Sequence, residues 1–263
     1  MKSRILIIFL FLFGLFYSCN EKPKNKRTEF IESKLFGKVK SIETRTFEND
    51  TLKLIDLKIY RKDGIIEKSK FSFEPNLSFG ETLYKYNNKN KLEKKVIISD
   101  GDTTDTDLYF YNNLGLLKKE EYYENKLHCV TNFKIDSFGK IIEKNFKYVN
   151  SDGMRTFKFY YPDSLTAVIK EYLRGNPDLR TEIKIYPKEN KKEILKTDIF
   201  PKSEFGEVFY HNNLGNLIKK EKFYEGKKTE TKNFIYELDL NKNWVKSESG
   251  IIRKERKIEY YKN

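Results

Sequence analysis

One short phrase recurs along this chain about every 25 residues: an aromatic residue, a polar turn with Gly or Asn, then an apolar residue opening a Lys-rich segment. Aligned four residues before the turn position, the copies start at Tyr60, Tyr86, Tyr111, Ile135, Tyr161, Tyr186, His211 and Leu238. Their turn positions are Gly64, Asn90, Gly115, Gly139, Leu165, Asn190, Gly215 and Lys242, with Leu35-Phe36-Gly37 as an earlier partial copy. Gly and Asn dominate because a tight hairpin turn needs positive φ, which these residues adopt at low cost. A fixed period of this length means stacked copies of one supersecondary unit.

A second set of turn signals falls between the first: Ser99-Asp-Gly101, Glu124-Asn-Lys126, Asn150-Ser-Asp-Gly153, Arg174-Gly-Asn-Pro177 and Glu225-Gly-Lys227. Two turns per repeat leave strands of about 7 to 10 residues, the length of an antiparallel meander. No apolar period of 3.6 residues appears after residue 30, so little helix is expected. The fold class predicted is all-β: an antiparallel meander of about 16 strands built from ~25-residue β-hairpin repeats, forming an elongated sheet that must twist or roll. Pro162 and Pro187 follow the repeat Tyr in two degraded copies and mark edge-like or bulged positions.

The amino terminus reads as an export signal. Lys2 and Arg4 precede an apolar run of 13 residues, Ile5–Tyr17, too short to span a membrane. Ser18-Cys19 closes it. A small residue before Cys at that point resembles the lipobox of bacterial lipoproteins, which implies a signal peptide over 1–18, lipidation of Cys19, a polar tether over 19–30 and a repeat array over 31–263. Membrane attachment through that lipid follows, and Asn20 in place of Asp points to the outer membrane, on its surface or periplasmic side. With Cys19 lipidated, Cys129 has no disulfide partner and is expected to be a small buried apolar residue.

Candidate chemistry is sparse. His128 and His211 are the only histidines, and His128 and Cys129, adjacent on one strand, point to opposite faces and cannot pair. His211 replaces a repeat Tyr. The acidic run Asp100-Gly-Asp102-Thr-Thr-Asp105-Thr-Asp107 has oxygen ligands of the kind calcium takes, yet it sits at a turn where Asp and Gly are expected anyway. Glu120 and Glu121 are carboxylates without an assignable partner. No phosphate-binding Gly loop, nucleophile elbow or paired Cys occurs, so no catalytic residue, metal site or cofactor is expected. The net charge is +13, but Lys and Glu mix within strands, as in Lys118-Lys119-Glu120-Glu121. That is the pattern of a solvated strand face, and nucleic acid is not an expected partner.

The Tyr-x-x-x-Gly-x-Leu units, with Asn after Tyr86, Tyr111 and His211 and Asp after Ile135 and Leu238, resemble the YD repeats of RHS-type bacterial proteins. Leu238-Asp239 to Trp244 and Tyr260-Tyr261 are similar to the ending of small YD-repeat lipoproteins. The resemblance implies a lipid-anchored, non-enzymatic envelope protein whose repeat surface binds or scaffolds a protein or glycan partner. A glycan-acting hydrolase with an Asp/Glu pair on one sheet face, or a neutraliser of a secreted toxin, are the alternatives. The sequence assigns no ligand-binding residues.

Overall fold

The computed structural model describes residues 35–73, 78–163, 165–199 and 202–262. The expected signal peptide (1–18), the lipidated Cys19 and the tether (19–30) lie outside the described residues. The strands begin with β1 (Val39–Glu48), β2 (Thr51–Tyr60), β3 (Ile66–Phe73), β4 (Ser78–Tyr86) and β5 (Leu92–Ser99). Next come β6 (Asp102–Tyr111), β7 (Leu116–Tyr123), β8 (Lys126–Ile135), β9 (Ile141–Tyr148) and β10 (Met154–Tyr160). After them run β11 (Thr166–Leu173), β12 (Asn176–Tyr186), β13 (Lys191–Asp198), β14 (Ser203–His211) and β15 (Leu217–Tyr224). The chain closes with β16 (Lys227–Asn233), β17 (Ile235–Leu238), β18 (Trp244–Ser249) and β19 (Ile252–Tyr260). The only helical element among the described residues is a 3-10 turn at Pro187–Glu189.

Local turn chemistry explains these elements. At Asn49–Asp50, Asp100–Gly101, Glu124–Asn125, Arg174–Gly175 and Glu225–Gly226, two successive residues have positive φ, the two-residue turn that matches strand twist. The repeat turns work differently. The Asp or Asn after the aligned residue accepts the backbone N–H groups two and four residues on: Asn87 from Lys89 and Lys91, Asp136 from Phe138 and Lys140, Asp239 from Asn241 and Asn243. Such Asx bonding fixes the turn and accounts for the Asp/Asn preference. At Asn112 the turn is one residue tighter, its N–H bonding the carbonyl of Gly115. Leu116 is therefore the buried residue there, and Leu117, two past the turn position, is exposed.

Repeat tyrosines tie one hairpin to the next. The hydroxyls of Tyr86, Tyr161 and Tyr236 each donate at 2.7 Å to a backbone carbonyl about 20 residues earlier, those of Ile66, Ile141 and Leu217. Register shifts at Tyr60, Tyr86 and Ile135 turn Ile66, Leu92 and Ile141 inward, where all three are buried.

The chain divides into two compact units. One holds Asp107–Asn213 and Lys219–Thr231; the other holds the described part of 18–106, with Leu214–Ile218 and 232–262. In the second, Val39, Ile42, Tyr60 and Ile66 form a core, with Leu35, Tyr84, Ile258 and Tyr260 packed against it. There β1 pairs with β2 on one side and with β19 on the other, Ile42 lying opposite both Lys58 and Ile258.

That pairing corrects the predicted fold. The nineteen strands belong to one antiparallel sheet whose first and last strands are hydrogen-bonded neighbours. β1 thus closes onto β19 and has a partner on both sides, which an open meander of about 16 strands does not give it. The strand count fell short because the partial copy at Leu35 supplies β1 and β2, and because the strand before the last repeat turn is interrupted at Phe234 into β16 and β17. Closure escaped because it joins residues about 200 apart, which no 25-residue period records.

Candidate functional site

In the unit containing Asp107, paired residues across β7 to β12 share a face. Directly opposed pairs run Glu121–Cys129, Thr131–Phe146, Phe133–Lys144, Lys144–Phe157, Phe146–Arg155 and Phe157–Glu171. This Cys129 face buries Cys129, Thr131, Phe133, Phe159 and Ile183. The opposite face carries Lys134, Glu143, Lys158, Lys170 and Arg180 in successive register. Ion pairs such as Lys134–Glu143 and Arg180–Glu182 line it. It is a solvated charge ladder of the kind the sequence predicts.

The Cys129 face is different, because its charges are half-buried. Lys119 lies 3.1 Å from Asp107 and bonds Glu121 as well. Burial alone would depress its pKa, but the bond to Glu121 and the field of Asp107 carry it above the ordinary lysine value. Burial likewise opposes ionisation of Glu121, and the Lys119 bond reverses it, leaving that carboxyl low. Burial next to Glu121 pushes the Cys129 thiol up to about 12, so it is inert at neutral pH. Glu171 is held above its usual range by burial, against the pull of Arg155 at 3.1 Å.

Lys144 is the exception in this row. Its ammonium sits 5.2 Å from the Phe157 ring centre and 5.9 Å from that of Phe146. No carboxylate among the described residues comes within ion-pair distance; Glu121 and Glu171 act on it only from farther away. Burial lowers its pKa. Where the same strand face runs on to the turns at 150–153 and 174–176, a cavity of 480 Å³ opens, lined by Phe146, Tyr148, Arg155, Leu173, Arg174 and Asp178 among others.

The residues singled out in the sequence fall as follows. Cys129 is fully buried, as expected, and His128 is exposed, with its ring edge on Tyr148. His211 bonds the Asn190 carbonyl through its backbone N–H, and burial lowers the pKa of its ring. Asp100 and Gly101 form a hairpin turn, while Asp107 pairs with Lys119 and accepts from Tyr109. No group of three or more His, Cys, Asp or Glu able to hold a metal occurs among the described residues. Glu120 bonds Lys118 and Tyr122 on the face opposite Glu121, so the two carboxylates do not converge. Lys144, Arg155 and Arg174 were missed. The only signal available was a Lys or Arg in register with an aromatic residue on the next strand, a relation visible only after pairing is known.

No protein-family model matches the sequence, and no curated protein does either. Among solved structures, a porin-like protein from Bacteroides uniformis ATCC 8492 is similar at 12% identity and a TM-score of 0.48, over 86% of this chain and 99% of that one. A porin-like protein from Bacteroides vulgatus ATCC 8482 is similar at 14% identity and a TM-score of 0.44, over 72% and 95%. The complex TcdB2-TccC3 is similar at 9% identity and a TM-score of 0.29, over 75% of this chain but 15% of that one.

The family expectation is corrected. An open YD-repeat, RHS-like array does not describe a sheet whose first and last strands are paired. With that array go the functions it implied: the lipid-anchored scaffolding surface for a protein or glycan, the hydrolase and the toxin neutraliser. Attachment through lipid and placement as an outer-membrane lipoprotein, surface or periplasmic, belonged to the same set of expectations and are not carried further; Cys19 itself lies outside the described residues.

Proposed function

We propose that this is a transport-type protein that takes small anionic solutes onto the Cys129 face of its sheet. Lys144 carries the reading: a half-buried ammonium between two aromatic rings, with no carboxylate at ion-pair distance among the described residues. A desolvated cation without a close counter-ion is stabilised by an anion that reaches it, and the attraction is far stronger there than in bulk water. Lys119, by contrast, is already neutralised by Asp107 and Glu121.

A carrier fits the opposite face better than a membrane channel does. Each Lys or Arg turned toward lipid near mid-bilayer costs about 2–4 kcal/mol. The register gathers Lys134, Lys158, Lys170 and Arg180 on this one face, where contact with lipid would carry that cost. The pairing of β1 with β19 favours the channel as second reading, since closure removes sheet edges. Equilibrium dialysis of the full chain with inorganic phosphate tests the proposal. Binding should fall at least fivefold in Lys144→Met; phosphate that does not bind, or that binds the variant equally well, overturns it. Unitary anion-selective currents in planar bilayers would identify the channel form.

A further inference from the structure

The cavity at the turns 150–153 and 174–176 holds two guanidinium groups and a cluster of rings on one side of the same face. Phe146 and Tyr148 meet edge to face at 4.9 Å and 87°, and Tyr148 meets His128 likewise at 5.1 Å. Their apolar surface is not covered: Tyr148 is 44% exposed and Leu173, also lining the cavity, 38%. Arg155 stands opposite Phe146 in register and is partly neutralised by Glu171. Arg174 is not neutralised. It occupies the first position of the β11–β12 turn at φ 51°, and its guanidinium makes no ion pair among the described residues. A Cβ built on Gly153 would lie 3.7 Å from Arg174 Nε, ordinary contact distance, so this side chain lies along the 150–153 turn. Asp178 is the one carboxylate of the lining.

We propose that this cavity binds a planar, ring-bearing oxyanion, its flat apolar part against Phe146, Tyr148 and Leu173 and its carboxylate or phosphate on Arg174 and Arg155. The proposal rests on the transport reading and names the solute class. Guanidinium is planar and weakly hydrated, and its paired N–H groups match two oxygens of one oxyacid. The exposed rings supply the stacking and apolar contact that an inorganic anion cannot use. The Asp178 carboxylate opposes excess negative charge and sets a preference for singly over doubly charged ligands.

Calorimetric titration of the full chain with benzoate, phenyl phosphate, inorganic phosphate and benzyl alcohol tests the assignment. Benzoate or phenyl phosphate should bind at least tenfold tighter than either inorganic phosphate or benzyl alcohol. Arg174→Gln, at an exposed turn, should remove that preference while leaving Lys144-dependent phosphate binding in place, and Asp178→Asn should tighten phenyl phosphate more than benzoate. Equal binding of ring-bearing and ringless anions, or an unchanged preference in Arg174→Gln, overturns the proposal. Lys144→Met separates the two ideas: if it leaves phosphate binding unaltered while the ring preference persists, the Lys144 reading fails and the cavity stands.

Discussion

Asn243 grips the backbone of Phe36, 207 residues away, with both ends of its amide. Its Oδ1 accepts the Phe36 N–H at 2.8 Å, and its Nδ2 donates to the Phe36 carbonyl at 2.8 Å and to the Tyr260 hydroxyl at 2.7 Å. Tyr260 in turn donates to Asp239, the residue that caps the same turn. Buried to 2% exposure, Asn243 thus fastens the segment leading into β1 to the turn between β17 and β18. Asn243→Ala removes these bonds and leaves the Phe36 amide groups unpartnered. A loss of about 2–4 kcal/mol is expected, read as a lower urea midpoint at unchanged slope. An unmoved midpoint would show that the clasp adds nothing to closure.

Asn243 also marks the limit of what could be read beforehand. The period gave the strand lengths, both classes of turn and most of the buried apolar positions, because these are local: Gly64, Asn90, Gly139, Asn190 and Gly215 all have positive φ, as predicted. Trp244 and Ala167, two past their turn positions, are buried as the repeat implies. What stayed hidden depends on which strands meet. Asn243 looks like one more turn residue until Phe36 is placed beside it, and Lys144 looks like one more surface lysine until Phe157 is set opposite.

The repeat tyrosines are hydrogen-bonding devices as well as apolar fillers, and their hydroxyls can be deleted singly. Tyr86→Phe, Tyr161→Phe and Tyr236→Phe each remove one bond to a carbonyl. Each should cost about 0.5–1.5 kcal/mol, and the three should add, since they lie on separate hairpins without shared partners. Chemical denaturation of single and triple variants checks both statements. A triple variant no weaker than a single one would mean that the carbonyls find water instead.

Gly80 faces Phe71 directly across the β3–β4 pair. A Cβ at this position would lie 2.2 Å from the tip of the Phe71 ring, so the ring lies over the glycine. A strand glycine normally gains from replacement by Ala, but here overpacking dominates. Gly80→Ala should destabilise by about 1–3 kcal/mol. In a Phe71→Leu background the same change should become neutral or favourable, a coupling that a double-mutant cycle in urea would measure. Additive effects would mean that the ring moves aside freely.

Glu221 accepts from Lys219 at 2.8 Å, Lys228 at 3.3 Å and Tyr210 at 3.1 Å. The Lys219 bond is the largest influence, and although burial resists ionisation, together these partners bring the carboxyl down to about 2. Its folded pKa is below its unfolded one, so the stabilisation is complete above the ordinary value of 4.5 and disappears as pH falls through about 2. Wild type should therefore melt above Glu221→Gln at pH 7, and the gap should close between pH 4.5 and 2. A gap that is constant across that range would place the effect in packing, not charge.

Lys144 gives the opposite sign. Burial beside Phe146 and Phe157 lowers its pKa, with Glu121 only partly offsetting this and Lys119 adding to it. The folded form therefore releases the proton before the unfolded form does. Between the lowered value and the ordinary 10.5 the unfolded state binds more protons, so this residue's contribution to stability rises with pH. Below that window the charged ammonium is a burden that Lys144→Met lifts, so the variant should be the more stable protein at pH 7 and lose that advantage as pH approaches 10.5. Denaturation midpoints of both proteins between pH 7 and 10.5 provide the check, taken as the difference so that other lysines cancel. Saturating inorganic phosphate at pH 7 should erase the variant's advantage from the other direction, because an anion on Lys144 stabilises only the folded wild type. A variant weaker than wild type at pH 7 without phosphate would mean that the two rings already compensate the charge, leaving no vacancy for a solute.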